Sequence, residues 1–290
     1  MIPRFRFIRP NSLSEALLAL DKNEKTVVLA GGTDVITGMQ QGDARFVSAG
    51  SVLDIHHLPE LRGVNKAESG IRIGAAATFT EIVNSPLLQS DFPLLSQAAV
   101  SIGSVQIRNR ATIAGNFVNN AACADSVPPL LVYDAVVHIC SACEERQMPL
   151  ADFLLKPNRT ALKSNELVTE ILLPKLSAGY QGSFWKLGRR RGIAISRITL
   201  AVLLKKSGKI IEDFRLASGA VTPIGFRFRE LESHAKNHEA SDQLWKTLAA
   251  ELGEAILEKT GLRWSSPYKL PVVQQMLYGL LCELSNGRPS

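Results

Sequence analysis

The chain has 290 residues, about two domains' worth, with 46% hydrophobic and 21% charged residues. That composition excludes collagen, a coiled coil and an intrinsically disordered chain, and no apolar stretch approaches the roughly 18 residues of a membrane helix. A net charge of +6, with basic residues scattered apart from Arg189-Arg190-Arg191 and only 6% aromatics, argues against nucleic acid and suits a small polyphosphate ligand.

In chain order, Ser12 and Glu15 form a capping box that opens a first helix, with Leu13, Ala16, Leu17 and Leu20 at helical spacing. The apolar run at 16–20 is too short for a secretory signal, so the expected location is the cytoplasm. A short buried strand at 26–30 breaks at Gly31-Gly32, and another helix begins at Thr33-Asp34. Residues 46–49 and 51–55 read as extended. The strand at 71–77 runs into a helix capped by Thr78 and Glu81, and a longer helix covers about 94–101. Asp125-Ser126-Val127-Pro128-Pro129 announces a helix through Tyr133. Strands at 136–142 and 166–173 close this part of the chain. Beyond residue 176 the character changes to three strands (183–188, 195–205 and 210–221), the last two joined by a Ser207-Gly208 turn, followed by helices near 228–235, 243–260 and 272–284. The reading is an α+β fold with domains at 1–176 and 177–290, the second a three-stranded antiparallel sheet with helices.

Familiar chemical signatures are missing. There is no G-x-G-x-x-G after a strand, no P-loop and no G-x-S-x-G elbow. Cys140 and Cys143 form a C-x-x-C on what reads as one strand, where their thiols would point to opposite faces. With Cys123 and Cys282 remote, no zinc or iron–sulfur site is expected, and His56-His57 lack a third ligand. Two glycine-bearing turns remain, Ala30-Gly31-Gly32-Thr33-Asp34 and Thr112-Ile113-Ala114-Gly115-Asn116. Either alone is an ordinary tight turn. Together they suit the pyrophosphate of a dinucleotide, because successive N–H groups converge on an anion and glycine lets the backbone approach.

These turns, with Gln106-Ile107-Arg108-Asn109 and with Asp125 nine residues past Asn116, resemble the FAD-binding subunit of the molybdenum hydroxylases, the family of xanthine, carbon monoxide and nicotinate dehydrogenases. The similarity runs over essentially the whole chain. It implies a two-part FAD-binding domain of the vanillyl-alcohol oxidase type followed by a small C-terminal domain. Carried over position by position, it puts Val28, Leu29, Ala30, Gly31, Gly32, Thr33, Asp34 and Val35 on the FAD pyrophosphate. Ile102 lies beside the cofactor, and Thr112, Gly115 and Asn116 belong to the second loop. Asp125 accepts from cofactor hydroxyls, and Val168 and Lys186 line the pocket. Ala114 departs from the family's usual glycine, which is tolerable at negative φ. The resemblance further implies non-covalent FAD and no catalytic or metal-ligating residue here. The molybdenum cofactor would sit on a large partner chain and [2Fe–2S] clusters on a small one, with NAD+ or another acceptor taking the electrons. A stand-alone flavin reductase on the same fold, or a cofactor-free scaffold or regulatory subunit, are the alternatives.

Overall fold

The computed structural model describes residues 2–22, 25–190 and 194–285. The chain begins with strand β1 (Arg6–Ile8), helix α1 (Leu13–Asp21), β2 (Thr26–Leu29), α2 (Val35–Gln41), the short α3 (Ala44–Val47) and β3 (Ser51–Asp54). Ser12 caps α1 by accepting the Glu15 N–H. Glu15 reaches past Ser12 to take the Asn11 N–H at 2.8 Å, so the expected box is completed one residue early. The three strands form a parallel sheet with β3 in the centre, and Val52 and Leu53 are fully buried. Residues 46–49 are not extended as expected. Asp43 accepts the Arg45 N–H at 2.9 Å and nucleates a helical turn there instead.

The second lobe contains β4 (Val64–Ala67), β5 (Gly70–Gly74), α4 (Phe79–Val83), α5 (Pro86–Asp91), α6 (Pro93–Ser101), α7 (Val105–Arg108), α8 (Ile113–Asn119) and α9 (Val127–Val132). It continues through β6 (Val136–Cys140), β7 (Glu145–Pro149), α10 (Leu150–Phe153), the ribbon β8 (Leu154–Lys156) and β9 (Arg159–Thr160), and β10 (Leu167–Pro174). Its main sheet is antiparallel in the order β4-β5-β10-β6-β7. Here Thr78 and Glu81 do form a full capping box. The strand carrying Cys140 stops at that residue. Cys143 sits exposed in the β6–β7 turn, so the C-x-x-C is not on one strand.

The C-terminal part is built from β11 (Tyr180–Gly188), β12 (Ser196–Ser207), β13 (Ile210–Gly219), β14 (Phe226–Arg227), α11 (Arg229–Ala235), α12 (Asp242–Thr260) and α13 (Ser266–Ser285). Its sheet has four antiparallel strands rather than the expected three, because Phe226–Arg227 pairs with β13. Two residues are too few to show the alternation that marks a strand in sequence. β12 is buried on both faces. Ile198, Leu200, Val202 and Leu204 pack under the C-terminal helices, while Ala201 and Leu203 join the core of the second lobe. An apolar run such as Leu200-Ala201-Val202-Leu203-Leu204 is what a strand sandwiched between two layers requires. Asp134, at the end of α9, accepts from Arg215, Arg227 and Arg229 of the C-terminal part. No helix among the described residues is long and apolar enough to cross a membrane.

Candidate functional site

The carboxyl end of β2 leads into Ala30-Gly31-Gly32-Thr33-Asp34 and then α2, at the edge where parallel sheets leave a crevice. Gly32 has φ of 79°, a left-handed conformation that costs other residues energy. Gly31 is glycine for another reason. A Cβ there would lie 2.1 Å from the Arg110 carbonyl oxygen, so the first turn is pressed against the chain that enters the second. The N–H groups of Gly31, Gly32, Thr33 and Asp34 have no acceptor among the described residues. Four consecutive unpaired donors form a cradle for anionic oxygens.

The second turn is wired differently. Thr112 caps α8, its Oγ1 accepting the Gly115 N–H at 3.2 Å. Ile113 N–H donates to the Ala77 carbonyl at 2.9 Å and Ala114 N–H to the Ala75 carbonyl at 3.2 Å. The backbone donors of this helix start are therefore already used, and the turn is stitched to the loop after β5. What it offers a ligand is the Thr112 hydroxyl hydrogen and the Asn116 amide, whose Oδ1 accepts from Ser126 Oγ at 2.6 Å and leaves the NH2 group to donate. Ala114 lies within α8 and is not among the residues at positive φ, so its methyl group brings no backbone strain.

Between the turns lies a cleft of about 770 Å³, within the size range of cofactor pockets. Val28, Ala30, Gly31, Gly32, Thr33, Asp34, Val35, Ile102, Thr112, Gly115, Asn116 and Val168 all line it, although they come from widely separated stretches of sequence. Leu29, Asp125 and Lys186 do not. Leu29 packs beside Met39 and Val52. Asp125 and Lys186 form an ion pair at 2.6 Å behind the wall, where Lys186 also donates to the Ser101 carbonyl at 2.8 Å and Ser196 Oγ donates to Asp125. Burial pushes the Asp125 carboxyl above its ordinary range despite Lys186 and Ser196. The pair touches the cleft through its neighbours: Ser101 precedes Ile102, and Ser126 follows Asp125 and holds Asn116.

Of the cleft residues that the sequence reading did not assign to a site, two stand out. Arg45 reaches from α3 to Asn119 and Asn158 at 2.8 and 2.7 Å while paired with Asp43, so one guanidinium ties the first lobe to the second across the mouth. Nothing in the local sequence marks an arginine whose partners lie 74 and 113 residues away. Ile195 contributes an exposed apolar side chain from just before β12. The Asp34 side chain is open to the cleft, but the surrounding walls desolvate its carboxyl and raise its pKa, with Arg45 opposing. The remaining walls are apolar, with Ile55, Ala75, Phe79, Ile107 and Leu167 facing inward. An anion cradle, hydroxyl and amide donors opposite it, and apolar walls between them fit a dinucleotide that carries a flat ring system. Arg191 lies outside the described residues. Among the described residues no cluster of His, Cys, Asp or Glu is placed to hold a metal ion.

Residues 3–176 match the family model described as FAD binding domain in molybdopterin dehydrogenase, and residues 183–284 match the CO dehydrogenase flavoprotein C-terminal domain. The chain is 32% identical to the putative xanthine dehydrogenase FAD-binding subunit of Escherichia coli K12, covering 95% of this chain and 94% of that one. It is 34% identical to the glyceraldehyde dehydrogenase medium chain of Sulfolobus acidocaldarius, over 94% and 95%. In structure it superposes on carbon monoxide dehydrogenase from Hydrogenophaga pseudoflava with a TM-score of 0.91 at 28% identity, covering all of both chains. With the cleft and the family matches in agreement, the chain belongs to the FAD-binding subunits of the molybdenum hydroxylase family, and it is an oxidoreductase subunit whose cofactor is FAD.

Proposed function

We propose that this chain is the flavin subunit of a heteromeric hydroxylase of xanthine dehydrogenase type, with its FAD-binding domain at 1–176 and its C-terminal domain at 177–290. A large partner chain holds the molybdenum cofactor, and a small partner holds [2Fe–2S] clusters. This chain passes their electrons to NAD+ or another acceptor, in the cytoplasm. The observation that carries the reading is the run of four unpaired N–H donors at a cleft of dinucleotide size. Support for the subunit role comes from relatives that match end to end and are named FAD-binding subunits or medium chains.

In this reading the residues bind and orient. The N–H groups of Gly31, Gly32, Thr33 and Asp34 hold the pyrophosphate from one side, with the Thr112 hydroxyl and the Asn116 amide opposite. Ile102 and Val168 flank the ring system and exclude water. Asp125, paired with Lys186 and Ser196 behind the cleft wall, acts on the cofactor through Ser126, which fixes the Asn116 amide. Lys186 keeps that carboxylate in place. Bound FAD supplies the redox chemistry, which is why the cleft needs no acid, base or nucleophile of its own. The cofactor is held without a covalent bond: neither His56 nor His57 lines the cleft, and the His57 ring hydrogen-bonds to the Pro10 carbonyl at 2.8 Å.

The purified chain is expected to be yellow and to release all its flavin on acid precipitation; flavin left in the pellet would overturn the non-covalent assignment. Purines and other heterocycles should leave the isolated chain oxidised and should reduce it once the molybdenum and iron–sulfur chains are added. Reduction by a heterocycle without those partners would overturn the subunit role.

A further inference from the structure

Loop 261–265, which joins α12 to α13, carries the two most exposed large apolar side chains of the described residues, Leu262 at 84% and Trp264 at 90%. An exposed indole offers a flat face on which a planar ring can stack. Three cations lie close to one another around the start of α13. Arg263 lies in the same loop, Lys269 in the first turns of α13, and Arg197 near the start of β12. The Arg197 guanidinium sits 5.4 Å over the Tyr268 ring. Lys269 Nζ donates to the Ala220 carbonyl at 2.6 Å, and burial together with the charges of Arg263 and Arg197 lowers its pKa. None of the three pairs with a carboxylate among the described residues. Elsewhere the chain neutralises such a cluster, as Asp134 does for Arg215, Arg227 and Arg229.

Along the chain the cluster runs on from the cleft. Ile195 lines the cleft, Ser196 donates to Asp125, and Arg197 follows. On the far side, Ala220 accepts from Lys269 and donates its own N–H to the Ala122 carbonyl at 2.7 Å, three residues before Asp125.

We infer that Arg197, Arg263, Lys269 and Trp264 form a docking surface for a free adenine dinucleotide, with the cations on its pyrophosphate and the indole under its base. Guanidinium groups bind phosphate through paired, charge-assisted hydrogen bonds, and an exposed aromatic ring stacks on a base. The redox end of the bound molecule is then directed past Ile195 toward the cleft. That last step rests on the flavin reading above; the docking surface does not.

The test uses the full FAD-loaded chain, so that the cleft itself is closed to the probe, and ADP-ribose as ligand. Of the three tryptophans, Trp245 is buried and Trp185 is half-buried against the core, so Trp264 is the one most open to a ligand in water. ADP-ribose should quench tryptophan fluorescence saturably, and Trp264→Leu should abolish the quench and weaken binding in calorimetry. Arg263→Ala should weaken binding about tenfold, the loss of one charge-assisted contact, and the parent's affinity should fall as salt rises. Both substitutions alter exposed side chains outside the cleft, so flavin content should match the parent. No saturable quench in the parent, or parental affinity in both variants, would overturn the docking surface. Released flavin, measured separately, reports on the cleft. A parent chain that retains no FAD overturns the cleft reading. In that case Arg263→Ala still decides the docking surface, because Arg263 is not a cleft residue.

Discussion

The two glycine-bearing turns look alike in sequence and behave differently in the fold. Both lead into a helix and both place a threonine and a glycine near the bend, although the first follows β2 and the second follows α7. In the first, the N–H groups of Gly31, Gly32, Thr33 and Asp34 find no acceptor among the described residues. In the second, the N–H groups of Ile113, Ala114 and Gly115 are consumed by Ala77, Ala75 and Thr112. A turn motif therefore does not establish an anion site. The hydrogen-bond accounting around it does, and that accounting depends on which distant strand passes alongside.

The largest effect should come from forcing the turns apart. Gly31→Ala puts a methyl group 2.1 Å from the Arg110 carbonyl oxygen. Backbone must move, at a cost of about 3 kcal/mol, and both the denaturation midpoint and FAD retention on gel filtration should fall.

Gly32→Val tests the cradle itself. A Cβ there already meets the Leu29 and Ile36 side chains at 3.3 and 3.4 Å, so both must give slightly, and the left-handed backbone adds about 2 kcal/mol. FAD affinity should fall by more than stability does, because the donors turn away from the ligand. Equal losses in the two measurements would show that the N–H groups are not the anion site.

Thr112→Val should cost about 1 kcal/mol through the lost cap of α8, with a parallel loss of FAD affinity, and Thr112→Ser should restore both. Here stability and affinity should move together, the opposite of Gly32→Val.

The smallest effect is the pH dependence of Asp125, behind the second turn. Its folded pKa is raised by burial, so folding favours the protonated form. The stability linked to this group is fully present below its ordinary value of 3.8 and is lost as pH rises through the higher folded value. Asp125→Asn should flatten that part of the stability–pH curve, and an unchanged slope would show that the Lys186 pairing outweighs burial.

Much of the architecture was readable because it rests on local chemistry. Thr78 with Glu81, Pro128 and Pro129 after Asp125, and the turn at Ser207-Gly208 each mark an element boundary through groups only a few residues apart. The apolar run of β12 likewise reflects burial on two faces. The failures share the opposite cause. α3 forms because the Asp43 carboxylate takes the Arg45 N–H, against the extended look of Phe46-Val47, and β14 exists only because β13 supplies a partner edge. In the cleft, Arg45 is defined by Asn119 and Asn158, and Ile195 by its position beside Asp125's partner Ser196.

Residue order thus settled the helix caps, the main strands and the two glycine turns, since dihedral preference and hydrophobic periodicity act over a few residues. Folding in three dimensions decided which turn keeps its donors free among the described residues, which cations meet a carboxylate, and which residues face the cleft. Those outcomes follow from hydrogen-bond and charge partners that chain topology brings from 30 to more than 100 positions away, beyond the reach of any local pattern.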